Sequence, residues 1–380
     1  MAIDKENTDT HGYLRKSASK ESSKIGVLVI DDSLFMRRLI SDMLNSDPKV
    51  KVIDTARNGK EALNKLSEIK PDCITLDLVM PDWDGLTTLK HIMATNPTPV
   101  IILSAYSKRD ADITIKCLNA GAVSFVLKPS GELSLDIENV KHQLLEQVKA
   151  TSKINVRRIK THITEKPRRV SRKFIGINNF IVIGASTGGP QTLELILSHL
   201  PAGFSVPIIV VQHMPSEIFT ESLAEHLNRI SELEIKVAED GEVVFPGRVY
   251  IAPAEFQTRI ISDNLRKSKS VNKHGLAYIR VSKAEPDSLS PSIDITMKSA
   301  AEVYNGSTTG VILTGMGHDG VEGAKAIKES GGKIVAQDES SLIFGMPKVV
   351  IDAGYADKAL PASEIADEMM NLINTNQGPN

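Results

Sequence analysis

Short runs of apolar residues, each followed at once by a polar side chain, recur along this 380-residue chain. The first run, Ile25–Ile30, is followed by Asp31 and Asp32. Similar runs cover residues 50–53, 73–78, 100–103 and, more weakly, 124–127, with helix-like stretches between them. A continuously apolar run is typical of a strand buried on both faces. Strands that alternate with helices predict parallel βαβ units and a doubly wound α/β sheet.

Polar residues lie at the expected carboxyl ends of these strands, where doubly wound sheets bind ligands. They are Asp31, Asp32, Asp77, Ser104 and Lys128. Three carboxylates at one edge repel one another, and Mg²⁺ is the hard cation that suits their oxygen ligands. Asp77 could then attack a phosphoryl donor, with Lys128 and the Ser104 hydroxyl binding the phosphoryl oxygens. Taken singly, the Asp31-Asp32 pair is more typical of a helix N-cap and Lys128-Pro129 of a turn, but the joint placement at the strand ends favours a phosphoryl site.

The second half opens with another buried run, residues 180–183, which leads into the turn Gly184–Pro190 and an amphipathic stretch. This order leaves Ser186 near a helix N-terminus, where free N–H groups stabilise an oxyanion, and it fits the G-x-S-x-G elbow. Glycine-rich turns also bind nucleotide phosphates. The Gly-x-x-x-Gly-Gly spacing nevertheless differs from the dinucleotide fingerprint, and the next strand ends in His213 where an acidic residue would be needed.

Two further residues complete a possible serine relay. The strand expected at 206–211 delivers His213 to the same sheet edge as Ser186. A later buried run leads into a glycine-rich turn that contains Asp319, which could accept the second imidazole N–H. His318 is a rival base. We favour His213 because its strand should neighbour that of Ser186.

The remaining segments and the overall charge limit the class of protein. Residues 147–178 lose apolar periodicity and are rich in lysine and arginine, but they lack interleaved aromatic residues and an adjacent helix-turn-helix, which favours a solvated linker over a nucleic-acid arm. Residues 1–24 read as a disordered tail without a signal peptide. A net charge of -2, two cysteines and the absence of a membrane-spanning run predict a cytoplasmic protein.

The first half resembles the response-regulator receiver family. The matching stretches are Val29–Ser33, Leu76–Gly85, Leu103–Ala105 and Phe125–Pro129. The resemblance implies a flavodoxin-like domain over residues 25–146, phosphorylated on Asp77 by a histidine kinase. It also implies that Ser104 and an aromatic residue couple phosphate to a changed surface. Val79 is apolar where many receivers carry a polar side chain, so only its backbone carbonyl could ligate the metal.

The second half resembles the chemotaxis response regulator protein-glutamate methylesterase family. The matching stretches are Gly184–Pro190, Val211–Pro215, Ser290–Asp294, Leu313–Gly320 and Phe344–Pro347. The resemblance implies a Rossmann-like α/β hydrolytic domain over residues 179–376. In it Ser186 is the nucleophile, His213 the base and Asp319 the orienting acid, with Met316 as a backbone N–H donor to the oxyanion. A histidine expected near 252–256 is missing, which affects substrate contacts more than chemistry.

The two resemblances together imply a phosphorylation-activated enzyme of chemotaxis adaptation. It would hydrolyse glutamate γ-methyl esters on methyl-accepting chemoreceptors, release methanol, and deamidate glutamines at the same sites. A histidine kinase would be the phosphodonor, and Mg²⁺ would be needed in the receiver but no cofactor in the catalytic domain. Nucleic acid is not an expected partner, and contact with the membrane would occur only through the receptors. The domain order suggests that the unphosphorylated receiver covers the catalytic cleft.

Three other functions remain open from the residues alone. A general α/β-hydrolase carries its triad in the order serine, acid, histidine, whereas this chain has serine, histidine, acid. A phosphorylation-controlled binding module would use the serine turn to hold an anion, and replacing Ser186 with alanine would then leave the phenotype unchanged. A DNA-binding regulator is disfavoured because the second half has no basic recognition helix.

Overall fold

The computed structural model describes residues 24–129, 134–154, 156, 179–262, 276–285 and 288–375. The expected N-terminal tail up to residue 23 and the expected linker from 157 to 178 lie outside the described residues. Within the described ranges, no helix combines the length and apolar character needed to cross a bilayer.

The first half forms one parallel sheet. Its strands are β1 (Ile25–Ile30), β2 (Val50–Ala56), β3 (Cys73–Asp77), β4 (Val100–Ser104) and β5 (Ser124–Leu127). Its helices are α1 (Leu34–Asn45), α2 (Gly59–Glu68), α3 (Gly85–Thr95), α4 (Lys108–Asn119) and α5 (Ser134–Thr151). The strand order β2-β1-β3-β4-β5 confirms the predicted doubly wound, flavodoxin-like fold. Helix α5 ends at Thr151, beyond the expected domain limit at residue 146.

Side-chain caps start the first four helices just beyond the carboxyl ends of the strands. Ser33, Asn58, Asp84 and Ser107 each accept a hydrogen bond from a backbone N–H in the first turn. Each cap satisfies a donor that the helix itself cannot pair, a contribution of about 1 kcal/mol. The capped helix N-termini therefore lie at the same edge of the sheet as the carboxyl ends of the strands.

The second half forms a larger parallel sheet and a separate hairpin. Its strands are β6 (Phe180–Ala185), β7 (Ile208–Gln212), β8 (Glu234–Val237), β9 (Arg248–Ile251), β10 (Phe256–Ser262), β11 (Ala277–Lys283), β12 (Thr308–Ile312), β13 (Lys333–Gln337) and β14 (Lys358–Leu360). Its helices are α6 (Gly189–His199), α7 (Glu217–Ile230), α8 (Ile293–Tyr304), α9 (Val321–Glu329), α10 (Met346–Asp352) and α11 (Ala362–Thr375), with a one-turn 3-10 helix at Asn305–Ser307. Seven strands pair in the order β14-β13-β12-β6-β7-β9-β8, and β10 pairs with β11 antiparallel. The parallel sheet confirms the predicted Rossmann-like architecture.

The two halves pack against each other through α4 and β5 on one side and α6 and α7 on the other. Phe125 of β5 stacks on the buried Phe219 of α7, with ring centroids 4.7 Å apart. Lys108 of α4 pairs with Glu225 of α7 at 3.0 Å. The amide of Gln191 in α6 donates to two backbone carbonyls of the first half, at 2.8 and 2.7 Å. These contacts form the interface between the first and second domains.

Candidate active sites

The acid cluster lies at the carboxyl edge of the first sheet. Carboxylate oxygens of Asp31, Asp32 and Asp77 lie within 4.8 Å of one another. Lys128 Nζ lies 2.8 Å from both Asp31 Oδ2 and Asp77 Oδ1. Burial raises the pKa of Asp77, although the nearby charge of Lys128 acts to lower it. The pKa of Lys128 is raised as well, because the two carboxylates outweigh the opposite effect of its burial. A compact set of carboxylate oxygens beside a lysine fits Mg²⁺ and a phosphoryl group.

Ser104, the last residue of β4, connects this edge with the helix that faces the second domain. Its buried hydroxyl lies 2.9 Å from Thr114 Oγ1 in α4, and it donates to Ala105 O at 3.3 Å. A rotation of Ser104 toward a phosphoryl oxygen would give up the contact with Thr114. The residue predicted to sense phosphate is therefore in contact with the interface helix.

In the second domain, three neighbouring strands bring Ser186 close to the other predicted residues. Ser186 N donates to Thr314 O at 3.0 Å, and His213 N donates to Ala185 O, also at 3.0 Å. A Cβ atom at position 315 would lie 2.7 Å from Ser186 Cβ, so the chain after β12 can pass the serine this closely only as glycine. The ends of β6, β7 and β12 thus form one half-buried site.

His213 and Asp319 form a hydrogen-bonded pair in this site. His213 Nε2 lies 2.9 Å from Asp319 Oδ2. Burial alone would raise the pKa of Asp319, but the bond from His213 and the backbone N–H groups of Ile293 and Asp294 outweigh it and lower the pKa. The carboxylate favours the tautomer that carries its proton on Nε2, which leaves Nδ1 as the ring nitrogen able to accept a proton.

The other two residues considered from the sequence lie on the turn between β12 and α9. Met316 is half-buried and follows Gly315, which approaches Ser186, so its position is compatible with a role as an oxyanion donor. His318 is exposed. The hydrogen bond to Asp319 supports His213 as the base.

Asp294 is a site residue to which sequence reasoning gave no role. Its Oδ1 accepts hydrogen bonds from Gly320 N at 2.9 Å and Gly323 N at 2.7 Å, at the start of α9. Asp319 in turn accepts from Ile293 N at 2.7 Å and from Asp294 N at 2.9 Å, at the start of α8. Asp294 therefore caps α9, which follows Asp319, and Asp319 caps α8, which contains Asp294. Burial and the nearby charge of Asp319 raise the pKa of Asp294.

Replacing Asp294 separates its hydrogen-bonding role from its charge. We expect Asp294→Ala to leave the N–H groups of Gly320 and Gly323 without an acceptor, to cost about 1–3 kcal/mol of unfolding free energy, and to reduce turnover. Asp294→Asn keeps an acceptor oxygen, and its loss of unfolding free energy should be less than half of the loss in Asp294→Ala. Urea unfolding and kcat of both variants check this. Equal losses for the two substitutions would contradict the capping role.

Comparisons with known proteins cover both domains. Residues 27–137 match the response regulator receiver domain, and residues 181–369 match the CheB methylesterase family. A Thermotoga maritima protein named protein-glutamate methylesterase/protein-glutamine glutaminase is 42% identical over 351 residues, which span 92% of this chain and 98% of that protein. An Archaeoglobus fulgidus protein of the same name is 42% identical over 353 residues, with 91% and 97% covered. The solved catalytic domain of Thermotoga maritima CheB methylesterase is 45% identical, with a TM-score of 0.47. The aligned region covers 51% of this chain and 98% of that domain.

A receiver domain joined to a methylesterase domain defines a response regulator with an enzymatic output. The chain belongs to the protein-glutamate methylesterase/protein-glutamine glutaminase family, as its identity to relatives over nearly their whole length shows. The family that the motifs predicted is thereby confirmed.

Proposed function

We propose that this protein hydrolyses glutamate γ-methyl esters and deamidates glutamines on chemoreceptors during chemotaxis adaptation, and that phosphorylation of Asp77 activates it. The observation that carries the proposal is the His213–Asp319 pair, 2.9 Å apart, at the strand edge that also holds Ser186. The family relationship supports the choice of substrate.

The proposed reaction uses these side chains in turn. Ser186 Oγ attacks the γ-acyl carbon while His213 takes its proton, and Asp319 stabilises the imidazolium. The backbone N–H of Met316 donates to the oxyanion. His213 then passes the proton to the methoxy oxygen or the amide nitrogen as its bond to the acyl carbon breaks, and methanol or ammonia leaves. Water, deprotonated by His213, cleaves the acyl-enzyme, releases the glutamate carboxylate and restores Ser186.

The receiver supplies the control. Asp31, Asp32 and Asp77 would hold Mg²⁺, which when bound supplies the positive charge that allows a phosphoryl group to approach three carboxylates. Asp77 accepts the phosphoryl group from a histidine kinase, and Lys128 neutralises the negative charge on the phosphoryl oxygens. Ser104 moves from Thr114 toward the phosphoryl group, which changes the α4 surface.

The change on α4 acts directly on the domain interface. Helix α4 carries Lys108, which pairs with Glu225, and the adjoining β5 carries Phe125, which stacks on Phe219. We infer that this docked arrangement is the unphosphorylated state and that phosphorylation shifts the equilibrium toward an open one.

We further propose that the protein acts in the cytoplasm, where it encounters both the receptors and the kinase. We propose a receiver domain that begins at residue 25, a basic linker, and a catalytic domain over residues 179–376.

Product release from receptor membranes tests the proposal. With a small-molecule phosphodonor and Mg²⁺, the protein should release methanol from membranes that carry methylated chemoreceptors, and ammonia from membranes whose receptors retain glutamine at the methylation sites. Membranes without chemoreceptors serve as the control. If neither product formed above the control, the proposed substrate class would be wrong.

A further inference from the structure

One receiver side chain reaches the catalytic site. Gln147, half-buried on α5, has its amide nitrogen 3.4 Å from Thr187 Oγ1 and 3.7 Å from Met316 Sδ. Its amide oxygen lies 3.5 Å from the same Thr187 hydroxyl. Thr187 follows the reacting Ser186 directly, and Met316 is the proposed oxyanion donor. The receiver thus places a primary amide between two residues that flank the nucleophile.

The packing of α5 explains why this side chain faces the second domain. Leu144 and Val148, on either side of position 147 along the helix, are fully buried in the core of the receiver. Their burial fixes the rotation of α5, and Gln147 therefore projects toward the catalytic turn. The amide is presented from a helix whose orientation is set by the receiver itself.

A glutamine side chain is also the chemical group on which the proposed deamidase acts, and the methyl ester of glutamate is nearly isosteric with it. We propose that Gln147 is a pseudosubstrate, which occupies the subsite for the γ-acyl group of the substrate and makes the receiver a competitor of the receptor segment. This inference rests on the proposed function. It assigns Thr187 and Met316 to the wall of the substrate subsite.

The contacts of Gln147 suit a reversible inhibitor. Distances of 3.4–3.7 Å are at the long end for hydrogen bonds, so the subsite holds the amide weakly. Most of the docking comes from the interface at α4, α6 and α7, which the phosphorylation site can reach through Ser104. When the receiver moves away, the weakly held Gln147 amide leaves the subsite. The subsite can then bind the receptor segment.

A competitor within the same chain has a defined kinetic signature. If only the open fraction binds substrate, the apparent KM rises by the inverse of that fraction, whereas kcat at saturating substrate is unchanged. Loss of the Gln147 contacts should therefore lower the apparent KM. Phosphorylation should remove the difference in KM between the variants and wild type.

Full-length Gln147→Ala tests this, with methanol release followed as a function of the concentration of methylated receptor membranes. Without phosphodonor, we expect its KM to be roughly three- to tenfold below that of wild type with unchanged kcat, where tenfold corresponds to about 1.4 kcal/mol. Gln143→Ala, which changes an exposed glutamine one turn earlier on α5, should keep the wild-type KM. With acetyl phosphate and Mg²⁺ all three should share one KM, which also shows that the variants are folded.

Gln147→Met distinguishes substrate mimicry from simple blockage, because methionine has a similar size and helix propensity but no amide. A pseudosubstrate predicts that its KM resembles that of Gln147→Ala. A KM equal to that of wild type would overturn the proposal, as would an unchanged KM for Gln147→Ala in a preparation that phosphorylation activates. An inactive phosphorylated wild type would instead count against the proposed function.

Discussion

Replacing Ser186 with alanine is expected to lower kcat for methanol release by roughly 10⁴- to 10⁶-fold. Alanine has no hydroxyl to form the acyl-enzyme, and the proton accepted by His213 has no donor. Residual turnover would come from the oxyanion donor and from substrate binding alone, and KM should change little. The assay uses the phosphorylated chain, so that occlusion does not mask the effect.

A matched control is available on the next helix. Ser198 lies in α6, where its hydroxyl donates to Leu195 O at 3.3 Å. Ser198→Ala should therefore keep wild-type kcat. A Ser186→Ala chain that retained at least about a tenth of wild-type kcat would exclude Ser186 as the covalent nucleophile.

Replacing Asp77 with asparagine is expected to abolish activation by a phosphodonor. The amide is a poor nucleophile and forms no acyl phosphate, so the equilibrium between docked and open domains stays at its unphosphorylated value. Radiolabelled acetyl phosphate measures phosphoryl incorporation, and methanol release measures the response. We expect both to fall to background while the basal esterase activity remains, because Ser186, His213 and Asp319 are untouched.

Asp42→Asn is the control for this change, since Asp42 is an exposed aspartate on α1 of the same domain. It should be phosphorylated and activated like wild type. Continued activation of the Asp77→Asn chain, with label on another carboxylate, would show that Asp77 is not the phosphoacceptor.

The strands that carry functional residues were predictable because they are buried on both faces. The bounds expected for β1 and β5 agree with the structure, and Ser186 and His213 follow two further buried strands. Strands without a continuous apolar run escaped prediction. Examples are β8, which begins at an exposed glutamate, and β14, which has only three residues and lies at a sheet edge.

Contacts between distant segments limited the prediction of the sites. The caps exchanged by Asp294 and Asp319 depend on two helix starts meeting in space, and no local pattern encodes that meeting. The expected linker began at residue 147, whereas α5 continues to Thr151 and carries Gln147 into the catalytic site.

Joining the two domains covalently tests whether the docked receiver keeps the catalytic site closed until Asp77 is phosphorylated. Cysteines in place of Lys108 and Glu225, whose charged groups lie 3.0 Å apart across the interface, allow the domains to be joined with a short cleavable thiol crosslinker. The native Cys73 and Cys117 are buried, and burial raises the pKa of both thiols, to about 12 for Cys117, so neither should react.

The decisive measurement is methanol release by this joined double-cysteine chain in the presence of acetyl phosphate and Mg²⁺. Phosphoryl incorporation should proceed while activity stays at the basal level, and cleavage of the crosslink should restore full activation. Activation of the joined chain to the level of the uncrosslinked one would show that the docked receiver does not close the site.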